Sequence, residues 1–276
     1  MNHLALRTLG ATALAFSALA VPALSLAADT SGRDDRLAVM VSGSTIENDF
    51  ISDNGWGASA LWLHNFNANV VLGVGGEHQT LSDADWNFGI VSFNYGFGAS
   101  ERRTNVYVDG RQGSGEDLTH SYDYAIYTAG LYQSLTKQLT LQLEDKQVDV
   151  DTVRGNLPKL GLTYLWSPKL SSAISYQHSV SGNLGTRITT LRVDAYQGGT
   201  NYFVGGANGQ ATPVIINLQT GFRTPGAVLH EYFIGVARPF SVADVSVVLD
   251  YTKLSTTEKW TLSFNTMLHK RQGGAR

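Results

Sequence analysis

The sequence predicts an all-β protein, a single antiparallel, up-and-down transmembrane β-barrel of fourteen strands, with twelve as the shorter alternative. Three observations predict it. Apolar side chains recur at every second position along most of the chain, which is the period of strands. Turn signals interrupt that pattern thirteen times, about fifteen residues apart for most of the chain. No run of about 20 mainly apolar residues is available to cross a bilayer as a helix.

The first segment reads as an export signal. A positively charged start ending at Arg7 precedes an apolar stretch from Leu9 to Val21, which Pro22 breaks. Ser25 and Ala27 then supply the small residues of a cleavage site, so residues 1–27 are expected to be removed and 28–276 to form one barrel domain.

The strand pattern follows in order. Val70, Leu72 and Val74 share one parity, and Leu139, Leu141 and Leu143 alternate with Thr140, Gln142 and Glu144. Leu160, Leu162, Tyr164 and Trp166 form the next set, followed by Leu170, Ile174 and Tyr176. Val245, Val247, Leu249 and Tyr251 form another, and Trp260, Leu262 and Phe264 the last. Reversals are expected near 52–54, 65–67, 82–85, 98–101, 109–116, 135–137, 151–156, 167–169, 181–185, 197–200, 205–226, 239–244 and 255–257. Twelve strands would result if 102–109 and 201–205 belonged to loops.

A soluble β protein would share this periodicity, so three further features decide for the membrane. Tight reversals (65–67, 135–137, 167–169) fall on every second connection, and the longest (109–116, 205–226) fall on the others, as periplasmic turns and external loops do. Trp56, Trp62, Trp86, Tyr95, Trp166 and Trp260 sit near strand ends, where an aromatic girdle meets the lipid–water boundary. Charge is scarce on the apolar parity and recurs on the polar one.

Composition removes other classes. Twenty Lys+Arg against 23 Asp+Glu leave no basic face for nucleic acid. The absence of cysteine removes disulfide scaffolds, zinc-thiolate sites and thiol chemistry. Glu144, Asp145, Asp149 and Asp151 read as a solvated acidic external loop rather than a metal site. No cofactor is expected, because the glycines at 73, 75 and 76 lie in a strand pattern that leads into no helix. A lipid-modifying barrel enzyme needs a Ser two residues from a His, so that both share one face of a strand. The residues two after the histidines of 28–276 are Phe66, Thr80, Tyr122, Val180, Tyr232 and Arg271, so no catalytic residue is assigned.

With apolar side chains toward lipid, the opposite parity places Glu77, Asp123, Glu144, Asp194, Glu231 and Asp250 in the lumen, with Arg192 beside Asp194. An acidic, water-filled passage for small cationic or neutral solutes is the expected function, because rings of carboxylate select cations. The alternative is a non-conducting barrel that serves envelope or exopolysaccharide assembly through loops 109–116 and 205–226.

The signal, the even strand count and the alternation resemble small Gram-negative outer-membrane barrels. The segments Tyr176-Gln177-His178-Ser179, Leu191-Arg192-Val193-Asp194-Ala195-Tyr196 and Tyr202-Phe203-Val204-Gly205-Gly206 are faintly similar to YaiO-type barrels. The resemblance implies a fold and an outer-membrane address, with no activity attached. It also implies outer-membrane lipid, lipopolysaccharide and the barrel-assembly machinery as partners, and leaves the oligomeric state open. Barrels of this kind usually end on an aromatic residue, whereas here a tail from His269 to Arg276 follows the strand 260–268.

Overall fold

The structure is a computed structural model that describes residues 35–47, 52–67, 69–81, 84–99, 102–116, 121–150, 153–211, 227–255 and 257–269. Nearly all of them lie in strands: β1 (Asp35–Glu47), β2 (Ser52–Asn67), β3 (Val70–Leu81), β4 (Ala84–Phe97), β5 (Thr104–Glu116), β6 (Ser121–Ser134) and β7 (Leu139–Val150). The second half adds β8 (Val153–Ser167), β9 (Leu170–His178), β10 (Arg187–Gln197), β11 (Thr200–Ala211), β12 (Ala227–Pro239), β13 (Ala243–Leu254) and β14 (Thr257–His269). Each strand pairs antiparallel with its sequence neighbours, and β1 closes on β14 through pairs such as Val41 with Phe264. Closure leaves no free sheet edge, which is the condition for a sheet to reside in lipid.

The fourteen-strand reading is the one observed. Residues 109–116, expected as an external loop, form the second half of β5, and 102–109 and 201–205 are largely strand as well. The glycines at 110, 113 and 115 gave that stretch a turn-like composition. Gly113 owes its glycine to packing instead: a Cβ there would sit 1.8 Å from the Asn87 carbonyl oxygen on β4. The acidic group also changes place, since Glu144, Asp145 and Asp149 belong to β7 and Asp151 lies outside the described residues. The export segment 1–27 and the tail 270–276 lie outside them too.

The connections differ between the two ends. One end carries Asp35, His269 and the reversals at 98–103, 135–138, 168–169, 198–199 and 240–242; we call it the turn end. Gly198 and Gly199, at φ +59° and +79°, make a two-residue hairpin there whose left-handed backbone suits glycine. The other, loop end carries the two longest connections, 179–186 and 212–226.

Side-chain parity inverts between these ends. In the turn-end half, the outward side chains are apolar and exposed, among them Val91 and Phe93 on β4, Leu143 on β7 and Leu160 and Leu162 on β8. In the loop-end half, the apolar side chains are the inward ones: Trp86, Phe88 and Ile90 on β4, Val148 and Val150 on β7, Val153 and Leu157 on β8. The outward positions of β4, β7 and β8 there turn polar, with Asp85, Asn87, Asp145, Asp149, Arg154 and Asn156, whereas Trp56 on β2, Tyr232 on β12 and Trp260 on β14 keep the exterior aromatic. The turn-end half thus has the pattern of a membrane barrel, and the loop-end rim that of a soluble β protein with a dry core. Trp86, expected in the girdle, belongs to the rim core and is 0% exposed.

This division gives a testable asymmetry. Val247→Arg, outward on β13 in the apolar belt, should cost about 2–4 kcal/mol, whereas the inward Ser246→Arg should cost well under 1. Denaturant unfolding in lipid vesicles measures both. Equal costs would mean that the turn-end lumen is as dry as the lipid face.

Candidate functional site

The lumen is the candidate site, and its walls change character along the axis. Toward the turn end it is polar and reached by water: Thr163 is exposed, and Ser92, Asn94, Gln142 and Ser246 are half-buried. Charged groups project into its middle from most of the strands. The loop end is filled by packed apolar side chains.

The charged belt is built from neighbouring strands whose register places opposite charges together. Arg111 on β5 lies 3.4 Å from Glu77 on β3 and 3.8 Å from Asp109 on its own strand. Glu144 on β7 accepts a hydrogen bond from the Tyr107 hydroxyl at 2.5 Å, and Lys159 on β8 approaches it to 3.9 Å. Gln142 donates to the Tyr132 hydroxyl at 2.8 Å and to Glu144 at 3.2 Å. On β10, Arg192 donates Nη2–H to Asp194 Oδ1 at 2.6 Å and Nε–H to Oδ2 at 2.9 Å. Asn201 on β11 donates to the same carboxylate at 2.9 Å, and the Arg192 guanidinium stacks 4.1 Å from the Phe203 ring centre. Asp250 on β13 accepts from Thr252 at 3.0 Å; its carboxyl is hydrogen-bonded to Glu231 on β12, with Lys259 of β14 facing both.

Six of the seven residues expected in the lumen therefore project inward: Glu77, Glu144, Arg192, Asp194, Glu231 and Asp250. Asp123 does not. It pairs with Ser114, lies on the outward phase of β6 and is exposed at the loop-end rim. Counting from the outward Tyr127 reverses its assignment, because the two are four residues apart on one strand. The net acidity expected of the lumen also changes. Asp53, Asp109 and Asp244 are inward as well, but so are Arg36, Arg111, Lys146, Lys159 and Lys259, so most of the carboxylates are opposed by cations and the acidic surplus is small. Parity alone could have found Lys146, two residues after Glu144. Arg111 lay in the supposed loop, and Lys259 lay just before the expected start of the last strand.

The apolar closure at the loop end draws on β1, β4, β6, β7, β8, β10, β11, β12 and β13, through Ile46, Trp86, Phe88, Tyr124, Val148, Val150, Val153, Leu157, Ile188, Ala207, Ala211, Leu229 and Leu254. One further member comes from a loop. Leu184, 0% exposed, is carried inward by residues 179–186, which turn at Gly182 (φ +74°) and Gly185 (φ +54°). That loop is tied to β8. Asn183 N–H donates to the Arg154 carbonyl and Arg154 N–H to Asn183 Oδ1, both at 2.9 Å, while Val180 N–H donates to the Asn156 carbonyl at 3.1 Å. Gly155 makes room for it, since a Cβ there would lie 2.3 Å from the Ser181 carbonyl oxygen and 2.7 Å from Leu184 Cδ1.

Among the described residues no group of three or more His, Cys, Asp or Glu is placed to hold a metal ion. His78 and Thr80 both lie on the outward phase of β3, where His78 meets Asn87 Oδ1 at 2.9 Å. A closed fourteen-strand antiparallel barrel with an apolar exterior belt and a charged, partly water-reached lumen defines the class, a transmembrane β-barrel.

Comparison with known proteins supports that class through the fold. Neither the protein-family models nor the curated protein sequences contain a match, so the YaiO-type resemblance gains no support beyond the barrel itself. Solved structures do match. A ΔS2 mutant of the monoaromatic hydrocarbon channel TodX superposes with a TM-score of 0.58 at 9% identity, over 89% of this chain and 91% of that one. A Pseudomonas aeruginosa FadL homologue gives 0.56 at 9% identity, over 88% and 91%. The monoaromatic hydrocarbon channel CymD gives 0.54 at 11% identity, over 87% and 89%. These are outer-membrane channels, and at such identities the likeness is one of fold.

Proposed function

We propose that this protein is an exported outer-membrane channel for small apolar molecules, held closed at rest by the apolar cluster at its loop end. That cluster is the observation that carries the reading. A dry apolar constriction bars ions and water, because neither can shed its hydration there, and it favours solutes that bring no hydration to shed. Below it, the cations that face most of the carboxylates weaken the basis for the cation preference expected from the carboxylates alone. The hydrocarbon channels among the structural neighbours agree with an apolar solute. By the usual arrangement of barrel connections, the loop end faces the exterior and the turn end the periplasm.

Two measurements test this. The protein should fractionate with outer membranes and migrate faster on a gel unheated than boiled. Intact Gram-negative cells producing it should then take up α-methylstyrene faster than cells without it, while arabinose uptake stays at background. Faster arabinose entry would instead support a hydrophilic pore. No gain for either solute would support the non-conducting barrel, a reading that the continuous packing of the closure favours.

A further inference from the structure

Trp86 is a buried donor without an acceptor. Its side chain is 0% exposed within the loop-end cluster, and its indole Nε1 has no hydrogen-bond partner among the described residues. The unpartnered amide nitrogens of Asn65 and Asn265 lie elsewhere, on inward positions toward the turn end, where the lumen is polar. Trp86 shares its cluster with Phe88, Tyr124, Val148 and Ile46. The residue opposite Trp86 on β3 is Gln79, whose amide N–H donates to Glu77, and the β5 residue opposite Trp86 is Gly115, which brings no side-chain acceptor.

A buried N–H left unpaired is costly, and packing alone does not require one, since phenylalanine would fill an apolar cluster without that cost. A ligand acceptor would offset it. We infer that the Trp86 indole N–H is a specificity donor for the transported molecule, so that the preferred solute is an apolar molecule bearing one hydrogen-bond acceptor, such as a ketone or aldehyde carbonyl on a hydrocarbon body. The inference rests on the channel reading above and narrows its substrate class. A pure hydrocarbon satisfies the cluster but leaves the N–H unpaired. A carbonyl compound of the same shape satisfies both, and a sugar carries too many polar groups to enter.

Acetophenone and α-methylstyrene make the test, because they differ by C=O against C=CH2 at nearly constant shape. Uptake is measured into intact cells producing the full chain, each solute corrected for cells without it. The wild-type protein should favour acetophenone by about tenfold, the scale of one neutral hydrogen bond in a dry site. Trp86→Phe should lose that preference and keep α-methylstyrene uptake. If Trp86→Phe fails to give a heat-modifiable barrel, benzothienylalanine replaces Trp86 in a chain whose Trp56, Trp62, Trp166 and Trp260 are already Phe. That analogue keeps the ring shape and lacks the N–H, and the same loss of preference is expected. Equal uptake of both solutes by the wild-type protein, or a preference that survives removal of the N–H, overturns the inference and leaves the channel standing. Uptake of neither solute overturns the channel itself.

Discussion

Leu184→Ala should turn a barrel that is silent in planar bilayers into one with frequent openings. Leu184 is the closure's contribution from a loop rather than a strand, so it can leave without breaking the barrel wall. Its truncation removes about 2–3 kcal/mol of contacts from the closed state alone, which multiplies the open-to-closed ratio about 30- to 150-fold. Leu184→Asp should do more, because a carboxylate cannot remain unpaired in that cluster. Gly155→Val tests the same element from the strand side, since its Cβ would displace Ser181 and Leu184. Single-channel recording reads all three. Wild-type protein with full, steady conductance would show that the loop end is no closure. Silence in every variant would place the barrier elsewhere along the lumen.

Asp194→Ala should be the most destabilising single change in the charged belt, at about 3–5 kcal/mol, because it leaves the Arg192 guanidinium buried without its carboxylate. The pair is bidentate, with side chains only 11% and 10% exposed, and Asn201 completes it. Replacing both residues together, Arg192→Met with Asp194→Met, should recover most of that loss, since two apolar side chains of similar volume require no partner. Denaturant midpoints in lipid vesicles measure the three variants. A double variant no better than Asp194→Ala would mean that the pair does more than neutralise itself. Full stability in Asp194→Ala would mean that water reaches Arg192 freely.

Much of the architecture was legible because membrane strands carry a strict two-residue code. Leu139, Leu141 and Leu143 against Gln142 and Glu144 identify β7 and its two faces without any tertiary information. So do Leu160 to Trp166 for β8 and Val245 to Tyr251 for β13. Six of the seven lumen residues follow from the same rule. The errors arose where composition imitates a turn or parity is counted from the wrong anchor. Glycine-rich 109–116 has the composition of a loop although close approach to β4 explains Gly113, and Asp123 shares the outward face of β6 with Tyr127.

The change of phase within single strands was also present in the sequence. On β4 the apolar residues run Trp86, Phe88, Ile90 and then shift to Val91, Phe93, Tyr95, Phe97; on β7 they run Leu139, Leu141, Leu143 and then shift to Val148, Val150. Such a shift marks the height at which lipid outside gives way to water, so that burial moves from the exterior to the lumen. The sequence by itself determined an antiparallel up-and-down barrel of fourteen or twelve strands and the parity of its belt, because alternation and turns are local. Only the tertiary structure decided that there are fourteen strands closed by β1 on β14, that most charges of the lumen pair off, and that the loop end is shut by Leu184 among side chains from nine strands. All of these depend on which residues meet across strands and across the lumen, and the shear and closure of the whole sheet set those meetings.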